Sequence, residues 1–177
     1  MTTHSDTVVA APGIDADVLV ASLFRQQGPS LVRMARLFTD DRNAAEDIVQ
    51  EAFIRLHRSA DRIRDVDRAA PYLRSIVLNL ARDHNRRGLV SLRHRGAIAR
   101  PEGEAPFEDD AIAAADSRAI VSALRSLPAR QRDCLVLRFY LELSEREIAE
   151  TMGISPNSVK THCRRGLQAL APLLEEQ

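Results

Sequence analysis

The chain has 177 residues, and 45% of them are apolar, which is enough for one large or two small globular cores. Its 25 basic residues balance its 25 acidic residues, so the net charge indicates neither an acidic nor a basic partner. The sequence has neither the roughly 20 consecutive apolar residues of a membrane span nor the N-terminal pattern of a secretory signal, so we expect a cytoplasmic protein without membrane insertion.

The composition also argues against an enzyme or a metalloprotein. The sequence has no glycine-rich phosphate loop and no nucleophile in a known motif, so it offers no catalytic residues. His162 and Cys163 are adjacent, and neighbouring helical residues do not converge on one metal ion. We therefore expect no cofactor and no metal, and we interpret Cys134 and Cys163 as small buried hydrophobic residues.

Apolar residues recur at spacings of three and four along most of the chain, which predicts an all-α fold. Residues 1–14 are expected to be a disordered tail. Two short helices are predicted at 15–27 and 30–38, separated by Gly28-Pro29.

The next helix is predicted to begin with a capping box of Asn43 and Glu46. Its apolar stripe contains Ala45, Ile48, Val49, Ala52, Phe53 and Leu56, and its opposite face carries Asp47, Gln50, Glu51, Ile54 and Arg55.

A further helix is predicted from Pro71 to Gly88, with Leu73, Ile76, Val77, Leu80 and His84 facing inward. Between residues 71 and 100 there are seven arginines and a single acidic residue. We expect the other face of this helix to meet a polyanion through Arg74, Asn79, Arg82, Arg86 and Arg87. Residues 89–116 contain glycine, proline and an acidic cluster, so they are predicted to be a flexible linker between two domains, 15–88 and 117–177.

The second domain contains the most specific pattern in the sequence. Ala149, Gly153 and Val159 have the spacing of a helix-turn-helix, in which a small residue, a glycine with positive φ and a buried aliphatic residue are required. Ser144 with Glu147 and Ser155 before Pro156 provide the two helix starts. The core is expected to include Ile148, Met152, Ile154, Cys163, Gly166, Leu167 and Leu170, and two upstream helices, 117–127 and 128–141, would add Leu135, Val136, Phe139 and Tyr140.

The second helix of this motif is expected to expose a basic surface to DNA. Asn157, Lys160, Thr161 and Arg164 are the candidates for base contacts in the major groove. Ser158 and Arg165 are the candidates for phosphate contacts. A helical hairpin that never binds nucleic acid is the alternative interpretation of this segment.

The order of these segments resembles the extracytoplasmic-function sigma factors of bacterial RNA polymerase. The resemblance covers about residues 23–174 and depends on AAEDIVQEAFIRLHR from Ala44, PYLRSIVLNLARDHNRR from Pro71, and LPARQRDCLVLRFYLELSEREIAETMGISPNSVKTHCRRGLQAL from Leu127. It implies a sigma region 2-like first domain and a region 4-like second domain, acting in a stress or signal response. It also departs from the common family pattern at Tyr72 and Leu78, which leaves the individual minus-ten contacts open.

The resemblance further implies the partners of each segment. Asp47, Gln50, Glu51 and Ile54 would bind the coiled coil of the largest polymerase subunit. The arginine-rich helix and a loop at residues 62–70 would bind the opened minus-ten element and a flipped base, and the second domain would bind the minus-thirty-five element. An anti-sigma factor would be a further partner.

Two other functions remain open from the sequence. A stand-alone helix-turn-helix regulator would bind an operator and recruit or block polymerase without sigma activity, although the N-terminal half lacks the α/β receiver pattern of a response regulator. A helical adaptor or anti-sigma-like protein would use its helices for protein contacts only, and the basic face of the recognition helix argues against it.

Overall fold

The computed structural model describes residues 15–39, 41–63, 65–95 and 111–175. These residues form seven α-helices and no β-strand, which confirms the all-α prediction. The predicted tail at 1–14 and the central part of the predicted linker, 96–110, lie outside the described residues. The helices are α1 (Ala16–Arg36), α2 (Arg42–Ser59), α3 (Ala69–Arg95), α4 (Ala111–Ser126), α5 (Ala129–Leu135), α6 (Glu145–Met152) and α7 (Pro156–Glu175).

Helix α1 is continuous, so the prediction of two short helices separated by Gly28-Pro29 was wrong. Pro29 lies inside the helix, where it removes one backbone hydrogen bond. Leu19, Leu23 and Leu31 are buried on both sides of the proline, and burial of this shared apolar stripe offsets the local cost.

Helix α2 begins two residues earlier than the predicted capping box implies. Its N-cap is Asp41, whose carboxylate accepts a 3.0 Å hydrogen bond from the backbone N–H of Asn43. Glu46 does not complete a capping box with Asn43 but pairs with Arg42, one turn earlier, at 2.9 Å. The predicted apolar stripe is confirmed, because all six of its members are buried.

Helix α3 is longer than predicted at both ends. It begins at Ala69, so Pro71 is its third residue, and it continues through Gly88 to Arg95. A glycine inside a helix costs only about 0.5–1 kcal/mol relative to alanine, so Gly88 alone does not end it. Leu73, Ile76 and Val77 are buried as predicted, whereas His84 is exposed.

A π-helical turn at Val136–Tyr140 follows α5 and changes which side chains face the core. The Leu141 N–H donates to the carbonyl of Val136, five residues back. The wider turn holds one residue more than an α-helical turn. Phe139, predicted in the core, lies within this turn and is 61% exposed. Leu167 of α7 was also expected in the core and is 44% exposed.

Helices α6 and α7 form the predicted helix-turn-helix. Ser144 and Glu147 form a complete capping box at the start of α6, and hydrogen bonds from Ser144 lower the pKa of Glu147. Gly153 ends α6 in the left-handed conformation, with φ 63°. Ile148, Ala149 and Val159 are buried between the two helices, so the requirements inferred from the sequence are confirmed.

The two halves of the chain share one hydrophobic core. A single cluster of buried residues runs from Leu31, Leu73 and Leu78 in the first half to Leu137 and Ile148 in the second. Helix α3 packs on α2 on one side and on α6 on the other. This arrangement places Arg74 of α3 against α6, the first helix of the helix-turn-helix.

The turn of the helix-turn-helix allows a paired stability test. Gly153→Ala is expected to lower the free energy of unfolding by about 1–2 kcal/mol, because an L-residue is strained in the left-handed region. Glu142 occupies the same region, with φ 54°, and its replacement by glycine should raise the free energy of unfolding by up to about 1 kcal/mol. Urea denaturation monitored by circular dichroism measures both changes. Shifts of the same sign in the two variants would contradict this account.

Candidate polymerase and nucleic-acid interfaces

Helix α7 presents the basic surface expected of a recognition helix. Asn157, Lys160, Arg164 and Arg165 are exposed, and Ser158 and Thr161 are half-buried. Inward packing holds this face in place: Val159 is fully buried, and a Cβ atom at Gly166 would lie 2.9 Å from Cδ1 of Leu135. The helix therefore sits close to α5 and keeps its basic side outward.

Hydrogen bonds at the start of α7 orient part of this surface. The Ser158 N–H donates to Oγ of Ser155 at 3.1 Å, so Ser158 belongs to the helix cap. The Thr161 hydroxyl donates to the carbonyl of Asn157 at 3.0 Å and can still accept a hydrogen bond. Lys160 Nζ lies 3.6 Å from Glu145 of α6, an exposed ion pair of the kind that contributes little stability.

The predicted polymerase surface on α2 forms one accessible patch. Asp47, Gln50 and Ile54 are exposed, and Glu51 is half-buried. Glu51 accepts a 2.7 Å hydrogen bond from Nε of Arg55 one turn later. Ile54 is 45% exposed, so the patch combines an apolar side chain with acidic groups, a composition suited to a protein partner.

The α3 residues predicted to face a polyanion are divided between interior and surface. Arg74 is only 6% exposed, so the expectation that it projects into solvent was wrong. Its Nε donates to Oγ1 of Thr151 on α6 at 3.3 Å, and its Nη1 donates to Gln27 of α1 at 3.5 Å. Burial lowers the pKa of Arg74, and the negative charges of Glu147 and Glu150 partly oppose this shift.

Arg82 also faces the second half of the chain. Its Nε donates to Oδ2 of Asp133 on α5 at 2.6 Å, and Nη2 pairs with the same oxygen. The side chain of Arg82 is 31% exposed, whereas that of Asp133 is completely buried. Burial raises the pKa of Asp133, although the positive charges of Arg82 and Arg132 partly oppose this.

Of the other predicted strand-binding residues, Asn79 lies near the middle of α3, and Arg86 and Arg87 lie further along it. Asn79 and Arg86 are exposed, and Arg86 pairs with Asp83 at 3.3 Å on the helix surface. The side chain of Arg87 lies outside the described residues. Leu78, where the sequence departs from the family pattern, is 1% exposed and belongs to the core.

A cavity of about 950 Å³ lies beside the loop at residues 62–70. Tyr72 lines this cavity and is 41% exposed. Its hydroxyl oxygen lies 3.3 Å from Oγ of Ser59. Arg146 and Glu150 of α6 also line it, so both halves contribute to the space next to the proposed base-binding loop. The remaining lining residues are Arg62, Ile63, Asp65, Asp67, Arg68, Pro71 and Ser75.

Several residues at the junction of the two halves were missed by the sequence analysis. Arg125 of α4 donates to the carbonyls of Leu37 at 3.1 Å and Thr39 at 2.9 Å, beyond the end of α1. The guanidinium of Arg132 lies 5.0 Å from the centre of the Phe38 ring. These partners are more than 80 residues apart in the chain, and no local pattern links them.

The cysteines occupy the packed side of the helix-turn-helix. Cys134 is buried and Cys163 is half-buried, and Cys134 Sγ lies 3.4 Å from Sδ of Met152. Burial raises the pKa of Cys134 to about 12, so its thiol is unreactive at neutral pH.

In the described part of the chain, no group of three or more His, Cys, Asp or Glu residues could hold a metal ion. No helix of this part is long and apolar enough to cross a membrane.

Comparison with protein families finds two matches, one in each half. Residues 23–88 match the family described as sigma-70 region 2, and residues 117–170 match sigma-70 region 4. The chain is 30% identical over 153 residues to the extracytoplasmic-function (ECF) RNA polymerase sigma factor ShbA of Streptomyces griseus subsp. griseus, covering 81% of this chain and 78% of ShbA.

Solved structures share the same fold. The structure of CnrH in complex with the cytosolic domain of CnrY matches with a TM-score of 0.69 and 25% identity, over 92% of this chain and 99% of that one. The sigma factor RpoE of Bartonella quintana, solved with the anti-sigma factor NepR, matches with a TM-score of 0.65 and 18% identity, over 88% of this chain and 96% of that one. The family matches, the identity to ShbA and the shared fold agree: the chain belongs to the sigma-70 family, as an extracytoplasmic-function sigma factor that directs promoter recognition and transcription initiation.

Proposed function

We propose that the two halves of this sigma factor divide promoter recognition between them. Residues 15–88 bind core polymerase and the minus-ten element, and residues 117–177 bind the minus-thirty-five element as duplex DNA. The observation that carries this proposal is the exposed basic face of α7 within a complete helix-turn-helix. Helices of this kind place their first turns in the major groove.

The residues of the recognition surface on α7 form two groups, one for base edges and one for phosphates. Asn157, Lys160, Thr161 and Arg164 lie on the first turns of α7 and contact base edges, because amide, ammonium and guanidinium groups match the acceptors and donors of the major groove. Ser158 and Arg165 contact phosphates, which fix the register of the helix.

The first domain has two separate tasks. The α2 patch of Asp47, Gln50, Glu51 and Ile54 docks on the polymerase, with Ile54 as its apolar anchor. Helix α3 holds the opened minus-ten strand through Arg82, Arg86 and Arg87, whose charges neutralise phosphates, and through the exposed amide of Asn79. The cavity beside residues 62–70 accepts an unstacked base, with Tyr72 available for stacking.

The protein acts on polymerase in the cytoplasm and supplies no catalytic residue of its own. An anti-sigma factor is its proposed inhibitor, since the similar sigma factor RpoE was solved with one. The main alternative is a stand-alone helix-turn-helix regulator that binds DNA but cannot start transcription.

Run-off transcription separates these two functions. Purified bacterial core polymerase and a promoter library are combined with and without this protein. Specific transcripts are expected only when the protein is present, and the selected promoters give the two recognition elements. Duplex binding without any initiation would instead favour the stand-alone regulator.

The polymerase patch is tested by Ile54→Glu. A charge at an apolar anchor of an interface typically costs at least about 2 kcal/mol, so affinity for core polymerase should fall by about thirtyfold or more while duplex binding is unchanged. Val18→Glu is the matched control, because Val18 is an exposed aliphatic residue on α1. Equal losses in the two variants, measured by fluorescence anisotropy, would refute the assignment.

The recognition surface is tested by the double variant Lys160→Ala, Arg164→Ala. It should bind promoter duplex more weakly and discriminate less against a duplex with an altered minus-thirty-five element, because each lost base contact costs about 1–3 kcal/mol of discrimination. Arg55→Ala with Arg58→Ala on α2 removes the same charge from exposed residues elsewhere. Unchanged discrimination between the two duplexes in the α7 variant, or an equal loss in the control, would show that the contact assignment is wrong.

A further inference from the structure

Three sulfur atoms from three helices of the second half meet on the packed side of the helix-turn-helix. Cys134 belongs to α5, Met152 ends α6 and Cys163 belongs to α7. Cys134 Sγ lies 3.4 Å from Sδ of Met152, and the Cys134 thiol also shares a hydrogen bond with the thiol of Cys163. We call these three residues the sulfur cluster. The proposed promoter and polymerase contacts use none of them.

Packing of the three helices holds the sulfur cluster together. Cys134 is fully buried, while Met152 and Cys163 are half-buried and pack against the same core. Helices α5 and α7 approach closely beside the cluster, since a Cβ atom at Gly166 would lie 2.9 Å from a side-chain carbon of Leu135. Met152 and Cys163 retain some accessible surface, so an ion can reach the cluster from that side.

The donor atoms of the cluster select the class of ligand. Two thiols and a thioether are soft donors, which prefer soft ions such as Cu(I) to the hard cations Mg²⁺ and Ca²⁺. Structural zinc takes four ligands, and among the residues that the structure describes no group of three or more His, Cys, Asp or Glu could provide them. Two cysteines and a methionine instead match the low coordination number of Cu(I).

The spacing of the sulfur atoms is close to that of a three-coordinate site. A metal–thiolate bond is about 2.3 Å long, so three sulfurs in a plane around one ion lie about 4.0 Å apart. The 3.4 Å between Cys134 Sγ and Met152 Sδ has to widen by about 0.6 Å to reach this value. The unbranched side chain of Met152 has three rotatable bonds and can supply that shift.

A positive side chain beside the cluster can balance the charge of a bound ion. Bound metal ions deprotonate coordinating thiols, so one Cu(I) releases both thiol protons to solvent and leaves the site with a single negative charge. Burial raises the pKa of Cys163, and the positive charge of Arg138 partly opposes this shift. A 3.2 Å hydrogen bond to the carbonyl of Leu143 holds the Arg138 guanidinium in place, where its charge offsets that of the site.

A disulfide between the two cysteines is the alternative chemistry for this cluster. Disulfide formation needs a thiolate as the attacking group, and burial raises the pKa of Cys134 to about 12, so little of this thiolate is present at neutral pH. A disulfide also leaves Met152 without a function, although its sulfur contacts Cys134. Cu(I) uses all three sulfurs and displaces the thiol protons.

We propose that Cys134, Met152 and Cys163 form a binding site for a soft monovalent metal ion, Cu(I), which links α5, α6 and α7. From the sequence no metal site was expected, because His162 and Cys163 are adjacent. Packing of the three helices instead brings Cys163 to two sulfurs that are distant in the chain. This inference is independent of the proposed function, since the promoter and polymerase contacts use other residues.

The test titrates the fully reduced protein with Cu(I) under anaerobic conditions, in competition with the chelator bicinchoninate. The chain contains only two cysteines, so no other thiol competes. We expect a single Cu(I) per chain that resists the chelator, with sulfur-only coordination by X-ray absorption spectroscopy. Because an ion that binds the folded state stabilises it, the Tm should rise when Cu(I) is added.

Three substitutions and one matched control identify the ligands. Cys134→Ala and Cys163→Ala should each abolish binding against the chelator. Met152→Leu should weaken binding by about tenfold or more, the lower end of the losses seen when a supporting group of a metal site is removed. Met34→Leu is the control, because it makes the same change at a buried methionine of α1 and should leave the affinity unchanged. Circular dichroism of each copper-free variant shows whether it is folded, and Cys163→Ala preserves the test if Cys134→Ala is not.

The outcomes separate this site from the alternatives. A single Cu(I) that needs the cysteines and is weakened by Met152→Leu but not by Met34→Leu supports the proposal. Failure to bind Cu(I) against the chelator, or equal affinity in wild type and Cys163→Ala, would overturn it. Equal affinity in wild type and Met152→Leu would overturn the three-sulfur site, as would a disulfide found by mass spectrometry in place of copper. None of these results bears on the proposed function, because run-off transcription is measured without copper.

Discussion

Buried arginines must find acceptors, and this requirement fixes how the two halves of the chain meet. Helix α3 carries apolar residues that complete the first core, but Arg74 and Arg82 point away from that core. The second half supplies Thr151 and Asp133 as their partners, and Arg125 supplies donors to the carbonyls that follow α1. The junction is thus built from guanidinium groups at the edges of a shared apolar core.

The same choice of side chain connects stability to function in this sigma factor. Arginine can pair with a carboxylate inside the protein or with a phosphate outside it, because its planar guanidinium presents the same donors to both. At this junction Arg82 uses its donors on the buried carboxylate of Asp133, whereas Ile54 of the α2 patch and Lys160 of α7 are exposed.

Much of the local structure could be predicted because it depends on residues close together in the chain. The capping box of Ser144 and Glu147 and the left-handed Gly153 follow from local backbone geometry, and the α2 stripe follows from helical periodicity. The errors have local causes as well. Burial along α1 offsets the cost of Pro29, and the cost of Gly88 is too small to end α3 by itself. Phe139 lies in the π-helical turn and is exposed.

The sequence by itself determined the all-α class, the helix-turn-helix and which side chains of α7 and α2 are available to partners, since helical period and capping are properties of short segments. Only the tertiary structure decided that Arg82 pairs with Asp133, that Arg74 pairs with Thr151 and that Arg146 and Glu150 of α6 line the cavity beside residues 62–70. These pairs lie 51 and 77 positions apart, and an arginine on a helix face looks the same in sequence whether water, DNA or another helix covers it. The choice among them is made by packing over the whole chain.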